Sequence, residues 1–254
     1  MVVSIYATSS GCFLLLWGRL ADIYGRKRVF LTGAIIFCLS TFIAPFAPDE
    51  VSFYICRSLQ GCCSAATVPS AFGLLASIFP SGPGRSRAFV AYTTASAVGA
   101  VLGNLAGGFI GSYFSWKWIF WVSSFMGALV AAAGYTFVPS DRRETCPLDG
   151  NESSRYVDWT GGFLISTGLA LLLIVVSQAN VLGWDNFLIP GLMVLSAMLV
   201  LSFILWQKKM ERNPECHPLV KISLFKNPRF SAAFVIIGCF FGSFSSFLVF
   251  ASFL

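Results

Sequence analysis

Eight apolar stretches of roughly 20 residues alternate with short polar segments along the chain. A helix that crosses the hydrocarbon core of a bilayer needs about 20 predominantly apolar residues. The pattern therefore predicts an all-α integral membrane protein with about eight transmembrane helices. We place them near residues 2–20, 29–47, 51–79, 88–113, 118–138, 160–180, 187–206 and 230–254.

The composition agrees with a membrane protein and argues against other classes. Hydrophobic residues make up 56% of the 254 positions and charged residues only 11%, and the mean hydropathy is +0.77. These values lie far from those of an ordinary soluble domain. The net charge of +6 does not indicate a nucleic-acid partner, because the positive residues are spread over loops rather than gathered on one basic face.

The distribution of lysine and arginine sets the expected orientation. When alternate loops are assigned to opposite sides, fifteen of the seventeen Lys and Arg residues fall on one side, leaving only Arg57 and Lys117. An excess of positive charge marks the cytoplasmic side of a membrane protein. We therefore expect four segments to be cytoplasmic, namely 19–28, 81–87, 140–158 and 207–229.

The densest cluster of charge lies between the first two predicted helices, in residues 18–28. Gly18 and Gly25 lack a Cβ and allow two helix ends to come close together. Asp22 can pair with Arg26 or face the N-terminal dipole of a helix, while Lys27 adds to a cationic cap. We predict a short turn with one of two roles. It is either a topology signal, or a gate whose charged contacts form in one conformation of a transporter and break in another.

One charged residue, Arg57, lies inside a predicted span, in the sequence Arg-Ser-Leu-Gln-Gly that ends at Gly61. An arginine within the membrane costs about 2.5–3.5 kcal/mol on insertion scales, so it should face a polar cavity or a partner. It could instead snorkel to the nearby outer interface. With Gln60 beside it, Arg57 is a candidate lining residue of a transport path.

Small residues recur every four positions in the fourth apolar stretch, at Ala91, Ala95, Gly99, Gly103, Gly107 and Gly111. This spacing keeps them along one slowly winding stripe of a helix. Another helix can approach such a stripe backbone to backbone, so we expect close packing there.

The sequence offers no sign of a metal, a cofactor or an enzymatic centre. Six of the eight cysteines lie in apolar stretches, and Cys146 and Cys216 fall in loops assigned to the cytosol, where thiols stay reduced. His217 is the only histidine, and no metal-ligand spacing or nucleophile–base pattern stands out. We therefore expect neither a cofactor nor catalysis.

The charged segment resembles the major facilitator superfamily. In that family the loop between the second and third spans reads G-x-x-x-D-x-x-G-R-K/R, which Gly18, Asp22, Gly25, Arg26 and Lys27 match position by position. The match falls between two predicted spans, as the family pattern requires. The resemblance implies secondary active transport, with a substrate cavity between two six-span halves that rock against each other.

Two further motifs support the resemblance. The family's fourth span carries a similar R-x-x-Q-G, which implies a role in proton coupling for Arg57, Gln60 and Gly61. Its antiporter signature reads G-x-x-x-G-P-x-x-G-G, and the similar residues here are Gly99, Gly103, Asn104, Gly107 and Gly108. Because Asn104 replaces the proline, we expect this helix to lack the family's kink.

The chain looks most like the fourteen-span drug:proton antiporters, in particular the fungal aminotriazole-resistance and low-affinity ammonium transporter branch. Trp116-Lys117-Trp118-Ile119-Phe120 is similar to a motif of that subclass, and Asp158-Trp159-Thr160-Gly161-Gly162 would begin its extra pair of spans. On this alignment the chain lacks the first span and most of the second half. The expected division is spans two to six in 1–138, a cytoplasmic loop in 139–159, the extra pair in 160–206, a second cytoplasmic loop in 207–229 and the first helix of the C-terminal half in 230–254.

The expected function is proton-coupled export of small organic compounds across a plasma or vacuolar membrane, by a truncated product. No Asp or Glu lies in the middle of a predicted span, and an arginine does not deprotonate in a protein. Either the proton-carrying acid lies on the absent parts, or the chain is not a proton antiporter. Two alternatives stay open: a facilitator of sugars or small ions, and a non-transporting membrane protein that binds a full-length relative or the missing half.

Overall fold

The structure is a computed structural model that describes residues 2–139, 157–183, 187–212, 218–220 and 222–251. Eight α-helices account for most of these residues, so the predicted all-α fold is confirmed. The helices are α1 (Val2–Tyr24), α2 (Arg26–Ile43), α3 (Glu50–Ile78), α4 (Pro83–Tyr113), α5 (Lys117–Phe137), α6 (Trp159–Leu182), α7 (Leu188–Glu211) and α8 (Pro228–Ala251). Short 3-10 helices occupy Ala44–Phe46 and Ile222–Lys226.

Seven helices, α2 to α8, are long and apolar enough to cross a membrane among the described residues. The protein is therefore a multi-pass integral membrane protein. Helix α1 has 23 residues, but Arg19, Asp22 and several Ser and Thr residues lower its hydropathy. It packs against both α3 and α6, so neighbouring helices cover much of its surface. The assignment of α1 as an eighth span stays a prediction.

Small residues hold α1, α2 and α3 together. Ala21, Val29 and Ala66 form a buried cluster with Trp17 packed against it. A Cβ added to Gly33 of α2 would lie 3.2 Å from the Cβ of Ala66 on α3. Helices in lipid lack a strong hydrophobic drive to associate and depend on such close contacts, so this three-helix group forms the core.

The helices α6 and α7 form an antiparallel hairpin that docks on α1. Within the hairpin, the hydroxyl of Ser196 donates to the carbonyl oxygen of Gly168 at 2.9 Å. Towards α1, the buried hydroxyl of Ser166 donates to the carbonyl oxygen of Cys12 at 2.8 Å. Both bonds satisfy polar groups inside the membrane, where an unpaired group is costly. The first bond holds the two helices of the hairpin together, and the second fixes the hairpin against α1.

Helices α4 and α8 lie at the periphery. The first turns of α4 pack on α3 through Phe72, whose ring centroid lies 5.8 Å from that of Phe89 and 4.6 Å from that of Tyr92. The remainder of α4 has no buried residue. Helix α8 packs on the preceding 3-10 helix through Phe225 and Phe230, and none of its described side chains is buried.

The structure corrects one prediction about the charged segment at 18–28, which is helical rather than a turn. Helix α1 continues to Tyr24 and α2 begins at Arg26, so Gly25 alone separates them. Gly25 has φ 101°, a value that favours glycine. Arg, Leu and Ala are good helix formers, which explains why the helix extends past the apolar stretch.

Several predictions fall outside the described residues. These are most of the cytoplasmic loop at 139–159, the end of the extra pair near Trp184, and the loop residues Cys146, Cys216 and His217. The predicted extra pair at 160–206 corresponds to α6 and α7. The grouping of the helices into family halves stays a prediction.

Candidate functional site

Arg26 links the ends of three helices, α1, α2 and α3. Its Nε and Nη2 donate to Oδ1 of Asp22 at 3.0 and 2.9 Å, across the junction between α1 and α2. Its Nη1 donates to the carbonyl oxygen of Gly73 on α3 at 2.8 Å. A Cβ on Gly73 would lie only 2.7 Å from Cδ and Nε of Arg26, so a glycine makes room for the guanidinium. We call the contacts of Asp22, Arg26 and Gly73 the arginine latch.

Lys27 extends this linkage to a fourth helix. Its Nζ donates to the carbonyl oxygen of Tyr135 at 3.1 Å and to that of Val138, at the end of α5. A cation is favourable at a helix C-terminus, where carbonyl groups are exposed. Gly18 faces α3, since a Cβ there would contact Pro69 at 3.6 Å. The sequence motif thus draws together the ends of α1, α2, α3 and α5.

Breaking the ion pair in the arginine latch costs little free energy. The side chains of Arg26 and Asp22 are 33% and 49% exposed, and exposed ion pairs contribute only about 0–1 kcal/mol. The latch therefore sets a geometry without dominating the stability. Contacts of this kind can form and separate during a conformational change.

Arg57 is held by aromatic rings and one amide. Its guanidinium carbon lies 4.5 Å from the ring centroid of Phe120 on α5 and 5.5 Å from that of Phe53 on α3. Its Nη1 donates to Oε1 of Gln60 at 3.2 Å. Ring faces attract a cation, so the half-buried arginine points towards α5.

Two donor atoms at this position stay without an acceptor among the described residues. They are Nε of Arg57 and Nε2 of Gln60, both buried. Gln60 is only 1% exposed. The next residue, Gly61, allows α1 to approach, since a Cβ there would lie 2.5 Å from the carbonyl oxygen of Tyr6. The structure therefore places a cation and an amide with an unsatisfied donor in the N-terminal half of α3, beside its contacts with α1 and α5.

The arginine latch and Arg57 lie towards opposite ends of α3. Gly73 follows Arg57 by sixteen residues, which is roughly 24 Å along a helix. The structure thus separates the two predicted sites.

The glycine stripe of α4 does not show the predicted close packing. Apart from the nearby backbone of α4 itself, no described atom lies within 4 Å of a Cβ added to Gly99, Gly103, Gly107, Gly108 or Gly111. Helix α4 runs without interruption from Pro83 to Tyr113 through Asn104, in line with the absence of a proline. A role for the stripe in transport stays a prediction.

A buried polar cluster surrounds Asp158, a residue that the sequence predicts to lie in a loop. Asp158 is 5% exposed and caps α6 by accepting from the backbone N–H of Gly161 at 2.8 Å. It also accepts from Nε1 of Trp206 at 3.1 Å and from Nε2 of Gln207 at 2.8 Å, both on α7. The N-cap pattern Asp-x-x-Gly was a local signal, but nothing in it revealed the donors 48 and 49 residues away.

Comparison with known proteins gives a consistent result. The profile of the Major Facilitator Superfamily matches residues 1–254. The puromycin resistance protein pur8 of Streptomyces alboniger is 30% identical over 237 residues, which cover 93% of this chain and 44% of that protein. The aminotriazole resistance protein of Saccharomyces cerevisiae is 31% identical over 211 residues, which cover 81% of this chain and 38% of that protein.

A third relative is named as an export protein. The cephamycin export protein CmcT of Amycolatopsis lactamdurans is 30% identical over 217 residues, which cover 85% of this chain and 43% of that protein. The chain thus spans about two fifths of the length of these curated relatives. The predicted resemblance to drug-resistance transporters, including the aminotriazole branch, is confirmed.

Proposed function

Because the chain belongs to the major facilitator superfamily, we propose that it acts in secondary active transport and exports small organic compounds in exchange for protons. Similarity to proteins named for puromycin resistance, aminotriazole resistance and cephamycin export supports this substrate class. The proposed location is the plasma membrane, with the vacuolar membrane as the alternative.

The arginine latch is the observation that carries the proposal. A loop that only fixed topology would need positive charge but no directed contacts. Here Arg26 bonds both the carboxylate of Asp22 and the backbone of α3 at Gly73. Half-exposed charged contacts between helix ends can separate when the helices tilt. We therefore favour the gate over the topology signal for this segment.

Arg57 and Gln60 are the proposed lining of the transport path. A cation held by Phe53 and Phe120, next to an amide with an unsatisfied donor, offers a preorganised site for an acceptor. A carboxylate that gains and loses a proton is such an acceptor. The five acids that the structure describes all lie at helix ends: Asp22, Asp49, Glu50, Asp158 and Glu211. The proposed proton carrier is therefore an acid outside the described helix interiors.

Efflux from cells tests the proposal. In a host strain without its own exporters, cells that express the chain should release a preloaded fluorescent organic cation faster than cells with an empty vector. An uncoupler of the proton gradient should abolish the difference. Asp22→Asn and Arg26→Gln should each remove most of the efflux because they break the latch.

Matched variants control for charge loss. Glu50→Gln and Arg229→Gln remove one charge each at exposed helix starts that lack a side-chain ion pair among the described residues, and they should leave efflux unchanged. Equal efflux from expressing and empty-vector cells would reject export by this chain. Normal efflux by both latch variants would reject the gate.

A second candidate function is association with a longer relative without transport. The uncovered stripe at Gly99, Gly103 and Gly107 favours it, because small residues allow a helix to approach closely in lipid. Co-purification with such a relative, in the absence of proton-dependent efflux, would support this candidate over the exporter.

A further inference from the structure

A cleft of about 420 Å³ runs between α1 and α6. This volume lies within the range of roughly 300–1,000 Å³ that is typical of ligand cavities. Its walls are mainly apolar and include Phe13 and Leu16 on α1 and Trp159, Phe163 and Ile174 on α6. Four side-chain hydroxyls also line the cleft, those of Thr8, Ser9, Ser166 and Thr167. That of Ser166 donates to the carbonyl oxygen of Cys12 on α1. The cleft therefore suits an apolar ligand.

The cleft follows the axis of α6 and is longer than the hydrocarbon depth of one leaflet. Its lining residues on α6 extend from Trp159 to Ile174, which is roughly 22 Å of helix, and half of the hydrocarbon core measures about 15 Å. Helix α6 begins at the side that the positive charge assigns to the cytoplasm. An elongated ligand in this cleft would thus lie parallel to the acyl chains of the cytoplasmic leaflet.

Side chains at the edge of the cleft are exposed. Trp159 is 60% exposed and Phe163 is 72% exposed. In a membrane these side chains meet lipid, and tryptophan favours the level of the headgroups. The opening at Trp159 therefore lies at the boundary between the acyl chains and the cytoplasmic headgroups.

Two exposed lysines lie at the same end of the α6–α7 hairpin as this opening. Asp158, the neighbour of Trp159, bonds Gln207, and Lys208 and Lys209 follow Gln207 in the chain with exposed side chains. Nζ of Lys209 lies 5.9 Å from the ring centroid of Trp206. Asp158 itself is buried and saturated by neutral donors, so it does not present its charge to the headgroup region. Basic residues at this level attract anionic lipids.

We propose that the cleft between α1 and α6 binds one acyl chain of an anionic phospholipid from the cytoplasmic leaflet, with the headgroup at Lys208 and Lys209. The lipid fills the apolar space between the hairpin and α1 and so completes the packing of that interface. The proposal does not rest on transport.

Quenching of Trp159 by brominated lipid tests the site. The full chain is placed in phosphatidylcholine vesicles with increasing fractions of phosphatidylglycerol brominated on its acyl chains. The signal of Trp159 is obtained as the difference between the native chain and Trp159→Phe. We expect this signal to saturate at a bromolipid fraction several-fold below the one at which random contact would quench it.

Two sets of variants locate the lipid. Ala170→Phe fills the cleft and should reduce the quenching of Trp159 to the level expected for random contact with bromolipid. Ala197→Phe, on the exposed face of α7, should leave the quenching unchanged. Lys208→Gln with Lys209→Gln should remove the preference for phosphatidylglycerol over equally brominated phosphatidylcholine. Random quenching in the native chain, or equal behaviour of the two Ala→Phe variants, would overturn the site. An undiminished preference in the lysine variant would overturn the headgroup assignment.

Discussion

At the scale of single residues, glycines in similarly regular sequence motifs have different structural roles. Gly61 and Gly73 lie where a Cβ would collide with a neighbouring carbonyl group or with Arg26, whereas Gly107 has open space around it. The sequence placed Gly61 and Gly107 in equally regular motifs. It could not tell them apart, because the neighbour that needs the space comes from a distant part of the chain.

Gly61→Ala should destabilise the protein, whereas Gly107→Ala should not. The new Cβ at Gly61 would lie 2.5 Å from the carbonyl oxygen of Tyr6 and 2.8 Å from Cβ of Ser9, so α1 and α3 must move apart. We expect a loss of about 1–3 kcal/mol in the free energy of unfolding, as for overpacked cores. Gly107→Ala gains the helix propensity of alanine without a clash. Unfolding in mixed detergent micelles measures both, and an equally stable Gly61→Ala variant would contradict the packing.

At the scale of the element, the α6–α7 hairpin depends on one carboxylate. Asp158 caps the start of α6 and accepts hydrogen bonds from the last turns of α7, so it joins the two helices at one end of the hairpin. A Cβ on Gly161 would collide with the Asp158 carboxylate and with Nε2 of Gln207. The polar cluster therefore leaves no space for any other residue at position 161.

Asp158→Ala should loosen the hairpin. It removes three hydrogen bonds and leaves the donors of the buried Gln207 and the half-buried Trp206 without this acceptor, which costs about 2–4 kcal/mol. Asp49→Ala is the matched control, because Asp49 is the N-cap of α3 but makes no capping bond with its side chain. Hydrogen exchange of the backbone of α7 should rise in the first variant only. Unchanged protection of the α7 amides in Asp158→Ala would show that the apolar contacts alone hold the hairpin together.

At the scale of the whole molecule, apolar periodicity and charge distribution predict most of the architecture. Helices were expected at eight places and eight are described, since a bilayer leaves the backbone few alternatives to a helix. The arginine latch was predictable only in part. The pair Asp22 and Arg26 follows from i, i+4 spacing, but the contact with Gly73 lies 47 residues away. Packing of this kind depends on helix tilt and rotation, which periodicity does not specify.

Labelling from one side of the membrane tests the orientation. In a chain whose eight cysteines are replaced, Ser86→Cys lies at the start of α4 and Ser115→Cys lies just beyond its end, both exposed. A maleimide that cannot cross the bilayer should label Ser115→Cys from outside intact cells and Ser86→Cys only after permeabilisation. Labelling of both positions from outside would refute the assignment of the positive loops to the cytosol.

The single residue between α1 and α2 makes this junction intolerant of insertions and deletions. The backbone bonds from Gly25 N–H to Ala21 and from Val29 N–H to Gly25 continue the ladder on both sides, so there is no slack to absorb an extra residue. One added residue would rotate α2 by about 100° about its axis. It would turn Gly33, Ala34 and Cys38 away from their buried positions. An insertion or deletion of one residue here should therefore disrupt the packing of α2 more than most single substitutions do.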